Sequence, residues 1–342
     1  MASSLLTRVT NDMLGRARWQ PLEIIFWAGA FAAIWLLPTR HLIMTEIAWL
    51  GLFALSLDLI VGYAGIISLG HAAFFGVGAY AAALLAKYEL INEPVLALIV
   101  AGFAAMAVGF VTSFLALRGT DLTRLMVSLG VALMLRELAN QLGWLTGGAD
   151  GLQGVTMQPI LGTFRFDMFG HNGYAYCLIV LFVLFLGARR LANSPFGLSL
   201  VAIKNNPLRA AAIGIPVDRR LIMIYSIAAF YAGIAGGLLA QTSSFASLDV
   251  FSFDRSADLL LVLIIGGAGY LYGGLIGAIL FKVMQDYLSV LTPQYWPFWI
   301  GALLVAMVLI GRDRITGWTA PFRKFASRLD WRAARRAAAE ER

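Results

Sequence analysis

The chain is 342 residues long, 60% hydrophobic and only 13% charged, with a formal net charge of +7 at pH 7. Soluble domains carry about 25% charged residues, so this composition describes one polytopic membrane unit rather than soluble domains. The basic excess sits in loops and tails without interleaved aromatics, which argues against nucleic-acid binding, and a single cysteine, Cys177, leaves no intrachain disulfide and no cysteine metal cluster.

Residues 1–21 are polar and basic (Arg8, Arg16, Arg18) and lead into the apolar run 22–37. That run ends "WLLPTR" with no small-x-small cleavage pattern, so it reads as a retained first span and not as a removed signal peptide. Further spans read near 42–61, 66–86, 94–117, 122–144, 172–190, 220–242, 256–268, 274–291 and 297–311. The expected fold is therefore an all-α polytopic membrane protein of about ten transmembrane helices. Its parts are a cytoplasmic N-terminal segment 1–21, a transmembrane unit 22–311 with a cytoplasmic segment 188–220, and a basic cytoplasmic tail 312–342.

Lysine and arginine set the expected orientation, because positively charged loops stay inside. Arg118 and Arg124 flank one turn, and Arg189, Arg190, Lys204, Arg209, Arg219 and Arg220 crowd the interval 188–220. With the basic N-terminus and tail, all four regions fall on the cytoplasmic side when ten spans alternate, and the opposite loops hold only Arg40, Lys87, Arg165 and Arg255. The longest outer loop, 145–171, is rich in glycine and turn residues and reads as a lid, a partner surface or a plain connector.

Two hydrophobic segments are interrupted by glycine. "GYAGIISLGHAAFFGVGAY" (62–80) includes Gly65, Gly70, Gly76 and Gly78 beside His71, and "IGGAGYLYGGLIGAIL" (265–280) includes Gly266, Gly267, Gly269, Gly273 and Gly274. Each glycine weakens a helix by ~1 kcal/mol relative to alanine, so such a density is costly in a plain span. Matching interruptions early and late in the chain suggest an inverted repeat with glycine-broken helices meeting around a central path. The competing explanation is close helix packing, which the GxxxG of Gly233 and Gly237 also suggests. His71 reads first as a packing and hydrogen-bonding residue.

Ionisable residues punctuate the spans: Asp58, the neighbours Arg136 and Glu137, and Lys282 with Asp286 four residues on, which could pair along one helix face. They read either as satisfied intramembrane groups or as pathway lining. No phosphate loop closes on any of the four lysines, no H-E-x-x-H pair holds a metal, and no G-x-S-x-G elbow occurs, so neither a catalytic nor a metal site is expected.

Within the cytoplasmic interval, Asn206 followed by Pro207 is a helix start, and Gly214 with Pro216 beyond it is a stop. The spacing predicts a short helix, Pro207, Leu208, Arg209, Ala210, Ala211, Ala212 and Ile213, whose alanines offer a small-residue face to a partner's groove.

These residues together carry a resemblance. The two glycine segments, "LTGGADGLQGV", and "SPFGLSLVAIKNNPLRAAAIGIPVDRR" with the apolar run after it, resemble the permease subunits of branched-chain amino-acid ABC importers, the longer of the two permease types, over roughly residues 45–310. The resemblance implies a bacterial inner-membrane protein with both termini cytoplasmic and a heterodimer with a second permease. It also implies two cytoplasmic ATPase subunits that bind the ATP, a periplasmic substrate-binding protein, and no cofactor or enzymatic activity in this chain. The helix at 207–213 would be the segment that docks into an ATPase groove, although it lacks the acidic residues common there, so Arg209 would meet an acidic patch instead. Related permeases are associated with urea, amides or aromatic acids, and a secondary transporter or channel is the alternative from a different class.

Overall fold

The computed structural model describes residues 19–310 except 92, 161, 163 and 165–169. The expected N-terminal segment, apart from its last residues, and the basic tail lie outside these residues. Helices follow the apolar segments in order: α1 Pro21–Leu36, α2 His41–Asp58, α3 Ala72–Lys87, α4 Pro94–Ala116, α5 Asp121–Gln141, α6 His171–Ala192, α7 Pro195–Asn205, α8 Pro207–Ala212, α9 Val217–Ser243, α10 Phe253–Gly266, α11 Leu271–Leu291 and α12 Trp296–Ile310. Proline opens α1, α4, α7 and α8, where its missing N–H costs nothing, and the side chains of Ser194, Asn206 and Ser252 cap α7, α8 and α10. Among the described residues the only β pairing is two isolated bridges, so the protein is an all-α polytopic membrane protein.

Among the described residues, five helical segments are long and apolar enough to cross a bilayer: His41–Ala64, α4, α6, α9 and α11. Helices α1 and α3 are apolar but shorter. The chain divides into two units, residues 1–282 and 283–342; the described part of the second holds the end of α11, a turn, and α12.

In the first unit most residues of the apolar stretch of His41–Ala64 are buried whereas most of those of α4 are not, which places α2 at the centre and α4 at the periphery. Exposed Leu96, Ile99, Phe103, Phe110 and Val111 on α4 are the surface a lipid tail can cover. Bilayer helices gain little from hydrophobicity alone and rely on close packing. Here glycine supplies it: a Cβ on Gly78 would run into the backbone of Gly233, and one on Gly236 into the carbonyl of Phe75, so α3 and α9 touch backbone to backbone. The expectation that Gly233 serves packing is borne out.

The loops sort into two ends. At one end Arg189 Nη1 meets Glu23 Oε2 at 2.7 Å and its guanidinium lies 4.3 Å from the Trp19 ring centre, and Lys204 Nζ donates to Gly62 O at 2.7 Å. At the other, Leu152 N donates to Ala246 O at 2.7 Å, joining the loops that follow α5 and α9. The first group carries the basic residues that the sequence reading expects on the cytoplasmic side, and the second belongs to the loops expected on the outer side. Lys282, read in sequence beside Asp286, makes its ion pair across helices with Glu46 of α2 at 2.6 Å.

Candidate functional site

The first glycine segment is a true break. Helix α2 loosens after Asp58 into a π-helical turn, Leu59–Ala64, which ends at Gly65 with φ +75°, a left-handed conformation that glycine adopts without strain. Residues 66–70 then run without helix to the start of α3. The second break is a tight turn: α10 ends at Gly266, Gly267 and Gly269 both have positive φ, and α11 begins at Leu271.

The two breaks meet. Gly269 N donates to Asp58 Oδ1 at 2.6 Å, and a Cβ on Gly62 would fall 2.5 Å from that same nitrogen. Asp58 is fully buried, so its carboxylate sits at the junction as a fixed acceptor. The second glycine cluster then closes on itself, with Gly266 against Gly273 and Gly277 against the Val262 carbonyl, while Gly274 faces Ala54 of α2. Thus Gly65, Gly267 and Gly269 turn the chain, whereas Gly70, Gly76, Gly78, Gly266, Gly273 and Gly274 permit close approach.

The junction lies at one end of the bundle and not midway along it. His41–Ala64 has 24 residues, about 36 Å of helix at 1.5 Å per residue, which already covers the hydrocarbon. The Gly62–Gly269 contact sits beside Lys204, on the side bearing the short helix, and the non-helical backbone runs from there to His71, which packs on Phe53 and bonds Ser56 further along α2.

Side chains from α5, α10 and α2 itself fasten the break. Ser128 of α5 accepts from Leu69 N at 3.2 Å, and its backbone carbonyl occupies the place a Cβ on Gly70 would need. Ser256 of α10 accepts from Ala72 N at 3.1 Å, satisfying one of the free amides at the start of α3. Ser56 Oγ donates to Phe53 O at 2.6 Å and therefore accepts from His71 Nε2 at 2.8 Å, which places the proton on Nε2. The His71 ring also stacks on Phe53, with centres 5.7 Å apart. His71 is thus a buried, hydrogen-bonded packing residue.

Lys204 is the residue the sequence did not single out. It sits in the last turn of α7, and besides its bond to Gly62 O its stem covers Gly65, where a Cβ would come 2.8 Å from Cγ. Two residues on, Asn206 Oδ1 accepts from Arg209 N at 2.9 Å and starts α8, and Gly214 follows with φ +88°. The short helix therefore forms with both its caps. Its alanines do not share a face: Ala210 is 2% exposed, while Ala211 and Ala212 are exposed beside Leu208 at 83% and Ile213 at 71%. Successive helical residues lie about 100° apart, so three in a row cannot point one way. The outward surface is Leu208, Ala211, Ala212 and Ile213.

A family model described as "Branched-chain amino acid transport system / permease component" matches residues 41–309. The chain belongs to this family. It is 27% identical over 282 residues to the high-affinity branched-chain amino acid transport system permease protein LivM of Escherichia coli K12, covering 75% of this chain and 65% of that protein. It is likewise 27% identical over 300 residues to LivM of Salmonella typhimurium LT2, covering 81% and 69%. The chain thus spans about two thirds of the length of these relatives. A shorter stretch, 168 residues covering 45% of this chain and 52% of its counterpart, is 28% identical to the ribose import permease protein RbsC of Bacillus subtilis 168. No solved structure gives a significant match. The protein is accordingly a multi-pass permease component.

Proposed function

We propose that this permease forms half of the translocation path of an ATP-driven importer for branched-chain amino acids in a bacterial inner membrane, with both termini cytoplasmic. Its partners are a second permease, two ATPase subunits and a periplasmic substrate-binding protein. ATP is hydrolysed on the partners; this chain contributes no catalytic group and no cofactor. It takes up the motion of the docked ATPases and converts it into opening and closing of the path, as a shift between two conformations.

The observation that carries this reading is the bond from Lys204 Nζ to Gly62 O at 2.7 Å. It joins the segment that ends in α8 to the break in α2, and the break is bonded through Asp58 to the turn between α10 and α11. Displacement of α8 therefore pulls on the end of α2 and on the turn between α10 and α11 at once. A channel or ion-coupled carrier has no use for an exposed, doubly capped helix tied to its gate.

The test is L-leucine uptake into proteoliposomes holding the complete complex. Ala211→Arg places a charge where the ATPase groove must close, at a cost of several kcal/mol if it is buried unpaired. Uptake and leucine-stimulated ATP hydrolysis fall together, and the ATPases no longer co-purify. Normal uptake by this variant contradicts the docking role.

A further inference from the structure

Helix α5 is long enough to cross a membrane, with 21 residues, yet it is not among the five described segments that are also apolar enough to do so. Its charges fall in two groups, Asp121 with Arg124 in the first turn and Arg136 with Glu137 near the other end. Leu133, Arg136, Glu137 and Asn140, spaced i, i+3, i+4, i+7, form one stripe, and Leu133, Arg136 and Glu137 are exposed. With Ala149 and Leu248 this stripe lines an open cavity of about 510 Å³, within the range of small-molecule sites. Ala149 and Leu248 belong to the short 3-10 turns Gly148–Asp150 and Leu248–Phe251, so the cavity opens at the end of the bundle opposite Lys204.

Glu137 is held by Gln141 Nε2 at 2.6 Å, while no described residue bonds or pairs with the Arg136 guanidinium. Ionised groups on a membrane-crossing helix face water, protein or substrate and not lipid. We propose that this cavity is a subsite for the zwitterionic head of an α-amino acid, with Arg136 receiving the carboxylate and Glu137 the ammonium, and with Leu133 and Leu248 flanking an aliphatic side chain. The proposal rests on the importer reading and deepens it. A simple anion would meet the Glu137 charge, a simple cation the Arg136 charge, and a neutral amide would leave both unsatisfied. A ligand carrying both signs a few ångströms apart satisfies the two neighbours together, and arginine gives the carboxylate two parallel bonds.

The experiment uses the complete complex with L-leucine as probe. Cys177 is the chain's only cysteine and is buried, so Asn140→Cys places one reactive thiol of this chain in the cavity. A membrane-impermeant methanethiosulfonate added outside labels this thiol, and leucine with its binding protein slows the labelling. Arg136→Gln lowers leucine uptake about 10-fold or more, Arg136→Lys restores part of it, and the second permease still co-purifies with both. Normal uptake by Arg136→Gln, labelling at 140 that leucine does not slow, or loss of the second permease from Arg136→Gln would each overturn the subsite, the last by giving Arg136 to the subunit interface. If the unmodified complex carries no leucine, the substrate reading fails and the subsite with it; if the unmodified complex carries leucine, any failure belongs to the subsite alone.

Discussion

The carboxylate of Asp58 accepts the backbone N–H of Gly269 at 2.6 Å, across 211 residues of sequence. Through it, the end of α2 is tied to the turn between α10 and α11. Asp58→Ala leaves that N–H without its acceptor and costs about 1–3 kcal/mol, while Asp58→Asn keeps an oxygen and costs less. Thermal unfolding of the purified protein in detergent orders the midpoints as unmodified, Asn, Ala. Identical midpoints for unmodified protein and Asp58→Ala would remove the bond from the account.

The glycines fall into ranks according to what a side chain would strike. Gly78→Ala meets the backbone of Gly233, which cannot yield, whereas Gly76→Ala meets the Phe251 ring, which can rotate away. Gly29 of α1 has nothing within 4 Å of an added Cβ, so Gly29→Ala gains up to ~1 kcal/mol of helix propensity. Midpoints and leucine uptake therefore fall most for Gly78→Ala, less for Gly76→Ala, and not at all for Gly29→Ala. A midpoint for Gly78→Ala equal to that of Gly29→Ala would contradict the backbone contact.

How far the sequence reveals this arrangement depends on the range of the interaction. Span positions are legible because twenty apolar residues in a row have few other fates, and the caps of α8 are legible because Asn206 and Pro207 act on their immediate neighbours. The π-helical turn at Leu59–Ala64 leaves no trace in "LIVGYA", since a widened turn is imposed by what packs against it. Lys204 counts in sequence only as a loop cation, because its acceptor is 142 residues away. Glu46 is missed as the partner of Lys282 for the same reason, and Ser128 and Ser256 carry no motif at all.

The proposed sidedness rests on the basic loops. Reporter fusions at 118–121, 204 and 330 give cytoplasmic signals, and one near 155 gives a periplasmic signal. A periplasmic signal at 204 would put Lys204 and the short helix on the wrong side for any ATPase.

The proposed coupling runs through Lys204, between the short helix α8 and the broken end of α2. Lys204→Met keeps the stem that covers Gly65 and removes only the donor to Gly62 O. The decisive measurement is leucine transported per ATP hydrolysed by the reconstituted complex carrying this one change. The ATPases stay bound and continue to hydrolyse ATP, while the transport ratio falls about 10-fold, in the range of ordinary coupling free energies. An unchanged ratio would mean that motion reaches the gate by another route, and the bond would then be only a tether.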